Sequence, residues 1–154
     1  MANEMELHEI QTSKEFLLRS ASAFEEADSG FTPHEGMYTV AAQLAHIALS
    51  VDWFVDGATN PNGFAMDFEE HDRAARAVTS LSQALSMIDR SYANAEAWVS
   101  QSDLSERLPD GMVMPNAPKG EVVYGIVDHT AHHRGALTVY ARALGKVSPM
   151  PYMG

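Results

Sequence analysis

Cysteine is absent from this 154-residue sequence. The chain therefore makes no disulfide, no Cys-ligated zinc site and no thiol nucleophile of its own. Any thiol chemistry must take its sulfur from a substrate. Basic residues are scarce as well: ten Lys and Arg stand against 21 Asp and Glu, for a formal charge of −11. A surface that negative repels phosphate backbones and anionic lipid, which argues against nucleic-acid and membrane-surface partners. No apolar run nears the ~20 residues a membrane span requires. The stretch from Met1 to Glu9 is acidic and lacks the basic-then-apolar order of a signal peptide. These absences point to the reducing cytoplasm. The remainder is globular in composition, with 45% hydrophobic and 20% charged residues. The length fits one domain over residues 1–154, able to bury roughly 70% of its unfolded surface.

Internal repeats, low-complexity tracts and β-alternation of useful length are also lacking, and helical periodicity fills the space. Leu7, Ile10, Phe16, Leu17 and Phe24 recur near three, four and seven, predicting a first helix over about 4–28. Gly30 and Pro33 interrupt it. Thr39 is a good N-cap for a second helix reaching about Gly57, with Val40, Leu44, Ile47, Val51 and Phe54 as its apolar stripe. After the turn cluster at 58–63, Asp67 with Glu70 three positions on resembles a capped start. That third helix is expected to run to about Ser100. Residues 102–120 form the longest irregular stretch, with the character of a lid or binding loop. A fourth helix is expected from about Glu121 to Leu144, stopped by Gly145. The expected fold is all-α, a four-helix bundle with long connecting loops.

Seven histidines are present, and three crowd the segment Val127-Asp-His-Thr-Ala-His-His-Arg-Gly135. His129 and His133 are four apart and project within about 40° of each other on one helix face. That spacing lets two imidazoles bind one metal from a rigid backbone. The same stripe carries Val122, Ile126, Leu137, Tyr140 and Leu144, so the pair faces inward, where an unpaired imidazole is costly. His46 lies inside the second helix, beside its apolar stripe. Alone it reads as a hydrogen-bonded core residue, but the inward pair on the fourth helix makes it a candidate third ligand. Three nitrogens from two helices suit Zn or Ni and leave room for water or substrate. His129 with His132 is the alternative pair, and His132 otherwise reads as an outer or interfacial residue. Asp52 and Asp128 read either as partners orienting a ligand His or as exposed helix charges. Arg134 reads as a carboxylate binder or a surface ion pair. His8, His34 and His71 fall near helix ends or loops and are expected to be solvated. Trp53 and Phe54 read as core. Gly125 and Gly135 cost about 1 kcal/mol each inside a helix, which space beside a metal or close helix packing would explain.

His46 in Ala41-Ala-Gln-Leu-Ala-His-Ile, the following Trp53-Phe54 and the His129-Thr-Ala-His-His133-Arg-Gly segment together resemble the DinB/YfiT-like family. The likeness spans nearly the whole chain, and the H-x-x-x-H-R-G motif on the last helix is its most specific part. The resemblance implies an up-down-down-up four-helix bundle, often dimeric, holding a divalent metal, commonly Ni or Zn, through three His. By position these are His46, His129 and His133. It also implies thiol-dependent transferase or isomerase chemistry with a low-molecular-weight thiol as co-substrate, or metal-dependent hydrolysis. One departure is Ala136, where relatives often carry a polar Gln.

The expected function is that of a metal-dependent enzyme acting on a small molecule, with His132 and Asp128 as candidate catalytic residues. The rival is a non-catalytic metal- or ligand-binding stress-response protein. An open coordination position separates them, since a fourth protein ligand would close the site. Met112, Met114, Met150 and Met153, apolar residues outside the bundle stripes, support the homodimer that the resemblance implies.

Overall fold

The computed structural model describes residues 3–153. Those residues are all-helical. Five α-helices follow in order: α1 over Glu4–Ala21, α2 over Val40–Thr59, α3 over Phe68–Arg76, α4 over Leu81–Gln101 and α5 over Gly120–Ala143. A short 3-10 turn, Glu26–Asp28, stands between α1 and α2. Among the described residues the only extended pairing is an isolated bridge from Arg107 to Pro118. The four long helices form a closed ring of contacts in which α1 and α2 each touch both α4 and α5. Helix α3 is appended to this ring and packs on α2. Ile10, Leu17, Leu44, Ile47, Ile88, Ile126 and Leu137 fill the centre with no more than 1% of their surface exposed. Each stabilises the fold by roughly 1.5–3 kcal/mol through burial.

Local sequence chemistry places the helix ends. Thr39 caps α2 by accepting from the Ala42 amide at 3.1 Å, and Asp67 caps α3 by accepting from the Glu70 amide at 3.0 Å. Gly145, at φ +74°, takes the left-handed conformation that ends α5.

Two predicted helices are corrected. The first ends at Ala21 rather than 28, and residues 26–28 form the separate 3-10 turn. The predicted 67–100 helix is two helices, broken between Arg76 and Leu81. The break costs little because three acceptors meet the free amides that begin α4. Ser80 Oγ takes the Gln83 amide, Ser29 Oγ takes the Leu81 amide and Glu26 takes the Ser82 amide, at 2.8–3.2 Å. The break frees α3 to lie along α2.

The stretch 102–119 is ordered rather than loose. Leu104 and Leu108 are buried. Backbone bonds from Leu108 to Ala117, from Lys119 to Glu106 and from Gly120 to Leu104 tie its two arms together. Its residue Met114 reaches α5, where a Cβ on Gly125 would lie 2.9 Å from the Met114 methyl and 2.7 Å from Phe54. Gly125 thus makes room for these two side chains. Met114 is therefore partly buried against the core rather than offered outward, while Met112, Met150 and Met153 are exposed.

Candidate metal centre

Helix α5 presents His129 and His133 one turn apart, with ring centroids 4.5 Å apart. Helix α2 brings His46 across from them. The Nε2 atom of His46 lies 3.2 Å from that of His129 and 3.1 Å from that of His133. The two helices are held in register by Gln43, one turn before His46, whose buried amide donates to the His133 carbonyl at 3.2 Å. One helix supplies the close pair, and a cross-helix hydrogen bond sets the third imidazole against it.

The spacing fits a cation. Three nitrogens about 2.0–2.1 Å from one ion stand about 3.3 Å apart in tetrahedral geometry. Square corners bring them to about 2.9 Å. The observed 3.1 and 3.2 Å fall between the two. Among the described residues these three His form the only group of three or more potential ligands with mutually close donor atoms.

The protonation chemistry agrees. Burial comes first in pushing His46 down to about 3, helped by the charges that His133, His129 and His71 would carry. Burial likewise pushes His129 and His133 down to about 4, with neighbouring imidazoles adding to it. At neutral pH all three are uncharged and offer a lone pair, the form a metal binds. Each neutral imidazole has one N–H to give, so a ring that carries its proton on Nδ1 leaves its Nε2 lone pair free for an ion.

Around this centre the other expected residues are distributed unevenly. His132 is exposed and stands edge-on to His133, 4.9 Å between centroids. Asp128 is exposed on α5. Asp52 turns away to α4, where it accepts from Ser91 at 2.8 Å. Arg134 lies over the rings of Phe16 and Tyr152 on the α1 side. Phe54 is buried, with its ring 6.3 Å from His129, and Trp53 packs edge-on or tilted against Phe54, Phe64 and Phe68 while donating to the Ala65 carbonyl.

His71 is the residue that sequence reasoning missed. Expected in solvent, it is half-buried, with its Nε2 3.1 Å from Nδ1 of His46 and 3.4 Å from Ser50 Oγ. Merging α3 into α4 hid its direction. The Ser-x-x-Gln pattern at Ser80 and Gln83 is the capping signature that would have separated them.

The sequence profile described as the DinB family matches residues 2–154. The crystal structure of a conserved protein from Enterococcus faecalis is similar in fold, with a TM-score of 0.71 at 14% identity. The match covers 95% of this chain and 99% of that one. Among curated proteins none matches.

Proposed function

The chain belongs to the DinB family, and from that premise we propose that it is a divalent-metal-dependent enzyme acting on a small molecule, of the low-molecular-weight thiol transferase or isomerase type. The observation that carries this reading is the meeting of three neutral Nε2 atoms at 3.1–3.2 Å. His46, His129 and His133 would hold the ion, with Zn or Ni suited to an all-imidazole donor set. No fourth described side chain closes the group, and all three His are only partly buried, which supports an open position for a substrate atom. A divalent ion held there supplies a Lewis acid that makes a thiol or water nucleophilic at neutral pH.

The chain's own residues do the rest. Phe54, with Trp53 and Met114 beside it, gives the site an apolar wall on the side of the 102–119 stretch. His132, edge-on to His133, and Asp128 on the outer face of α5 are the residues proposed to handle protons. Thiol transfer is preferred to hydrolysis on family likeness alone, and because the chain has no Cys it would need an added thiol. The exposed Met112, Met150 and Met153 support a homodimer. A single sedimenting species near 16.8 kDa at high concentration would overturn that part.

The deciding experiment assays metal-free, metal-loaded and His133→Ala protein against a panel of thiols and electrophiles. The expected result is turnover that requires both metal and thiol and is lost in the variant. Metal-dependent cleavage of an ester or amide without thiol would select hydrolysis. A loaded site that turns over no panel member would favour the binding protein.

A further inference from the structure

The three imidazoles are not equally constrained. His129 and His133 share one helix, so their relative placement follows from backbone geometry. His46 stands alone on α2, free in two side-chain torsions and in the choice of which ring nitrogen carries the proton. A neutral His46 protonated on Nε2 would aim a hydrogen, not a lone pair, at its two neighbours.

Helix α3 meets this need from two directions. Against the edge of the His46 ring stands His71, Nε2 to Nδ1 at 3.1 Å. Against its face lies Tyr38, nearly parallel at 28° with ring centroids 5.1 Å apart. Tyr38 is itself tethered to α3, because its hydroxyl donates to Asp72 at 2.8 Å. Asp72 also accepts from Arg76 at 2.8 Å, and Arg76 covers the Tyr38 ring at 4.6 Å and donates to the Gly36 carbonyl at 3.0 Å. His71, Asp72 and Arg76 thus come from one nine-residue helix, and all bear on His46 or on the ring that stacks against it.

We propose that α3 is an orienting arm for His46. His71 accepts the Nδ1–H of His46 and so directs its Nε2 lone pair toward His129 and His133, while Asp72 holds Tyr38 against the ring face. Metal-binding histidines usually donate their second N–H to a carboxylate, a carbonyl or water. Here the acceptor is another imidazole, which requires His71 to carry its own proton on Nδ1. His71 is in this reading a positioning residue, since its Nε2 is committed to the far side of the His46 ring.

The inference rests on the three-histidine reading of the centre, and the test separates the two. Zinc affinity is measured by competition with a chromogenic chelator for wild type, His71→Ala, His71→Gln, Tyr38→Phe and the exposed control His34→Ala. The expected result is a loss of about 10- to 100-fold in His71→Ala, the range for outer partners of metal ligands. Most of it should return in His71→Gln, whose amide oxygen can accept the same proton. Tyr38→Phe, which keeps the stacked ring but loses the Asp72 tether, should show a smaller loss, and His34→Ala none. Nitrogen-15 NMR of zinc-loaded wild type provides a readout that needs no variant to fold. Nδ1 of His46 should be protonated and Nε2 of His71 bare. Wild type that binds no zinc overturns both readings. Wild-type binding with unchanged affinity in His71→Ala, or a proton found on His71 Nε2, overturns the arm alone.

Discussion

Helix α5 carries two polar clusters on different flanks, one buried and one partly buried, and adjacent residues build them. Thr130 faces α1 and α4. Its hydroxyl lies 2.9 Å from the Tyr92 hydroxyl, which lies 2.9 Å from that of Ser13. All three residues are buried, and burial raises the Tyr92 phenol above its ordinary value while its hydroxyl partners pull the other way. A hydroxyl both donates and accepts, so a chain of three satisfies itself. His129 faces α2 and joins a cluster of another kind, where three Nε2 atoms converge and each neutral ring has one N–H to give. The closed cluster stabilises the helices. The histidine cluster is a group that could hold a cation.

The largest expected effect breaks the open cluster. His133→Ala removes one of the converging nitrogens, and zinc affinity should fall beyond the ~100-fold typical of outer partners. The metal-free variant should melt close to metal-free wild type, because the imidazole removed is only partly buried. Elemental analysis after dialysis against zinc, set beside His34→Ala, reads the difference. Equal metal content in the two variants would dissolve the contrast.

Tyr92→Phe breaks the closed cluster and should give the reverse pattern. It strands the Ser13 and Thr130 hydroxyls from each other and should cost about 1–3 kcal/mol of stability, seen as a melting temperature lower by several degrees. Zinc affinity should stay within about twofold, since no residue of the relay touches an imidazole of the centre. A joint loss of affinity and stability would show that the two flanks of α5 act as one unit.

Acid sharpens the comparison further. The three imidazoles have folded-state values near 3 to 4 against an ordinary 6.5. Between those limits the unfolded chain binds more protons than the folded one, so stability is fully present above about pH 6.5 and is lost as pH falls toward 4. Urea midpoints of the metal-free protein should decline across that window. Saturating zinc should carry the decline to lower pH, because the ion binds only the folded, deprotonated set. The hydroxyl relay titrates nowhere near this range, and a decline unaltered by replacing His129 or His133 would assign it elsewhere.

Much of this centre was legible in the sequence because helices translate spacing into direction. His129 and His133 are four apart on an apolar stripe, which fixes both their proximity and their inward aim. His46 followed from the need of that pair for a partner. His71 was hidden for the opposite reason. Its position depends on where one helix ends and the next begins, and no Gly or Pro marks that point. Val78-Thr79-Ser80 breaks the chain because Ser29 and Glu26, some fifty residues away, receive the amides that begin α4. That part is a tertiary fact, and the only local sign of the break is the cap that Ser80 gives the Gln83 amide. The first helix was overextended likewise, since no strong breaker precedes Gly30 although the chain leaves the helix after Ala21.

The smallest expected effect concerns Asp52, which the sequence left open as a partner to a ligand His. It lies six residues after His46 on α2, about 240° further round the axis at 100° per residue. The helix therefore points it elsewhere, and its carboxylate accepts from Ser91 on α4 at 2.8 Å. Asp52→Asn keeps an acceptor for that hydroxyl and exchanges a charge-assisted bond for a neutral one, a change of about 1 kcal/mol or less. Zinc affinity should not move, in contrast to His71→Ala, although Asp52 is much nearer to His46 in sequence than His71 is. A tenfold loss of affinity in Asp52→Asn would mean that the α2–α4 seam, and not α3 alone, sets the aim of His46. Unchanged affinity with a slightly lowered melting temperature would leave orientation to the arm and place Asp52 with the structural contacts.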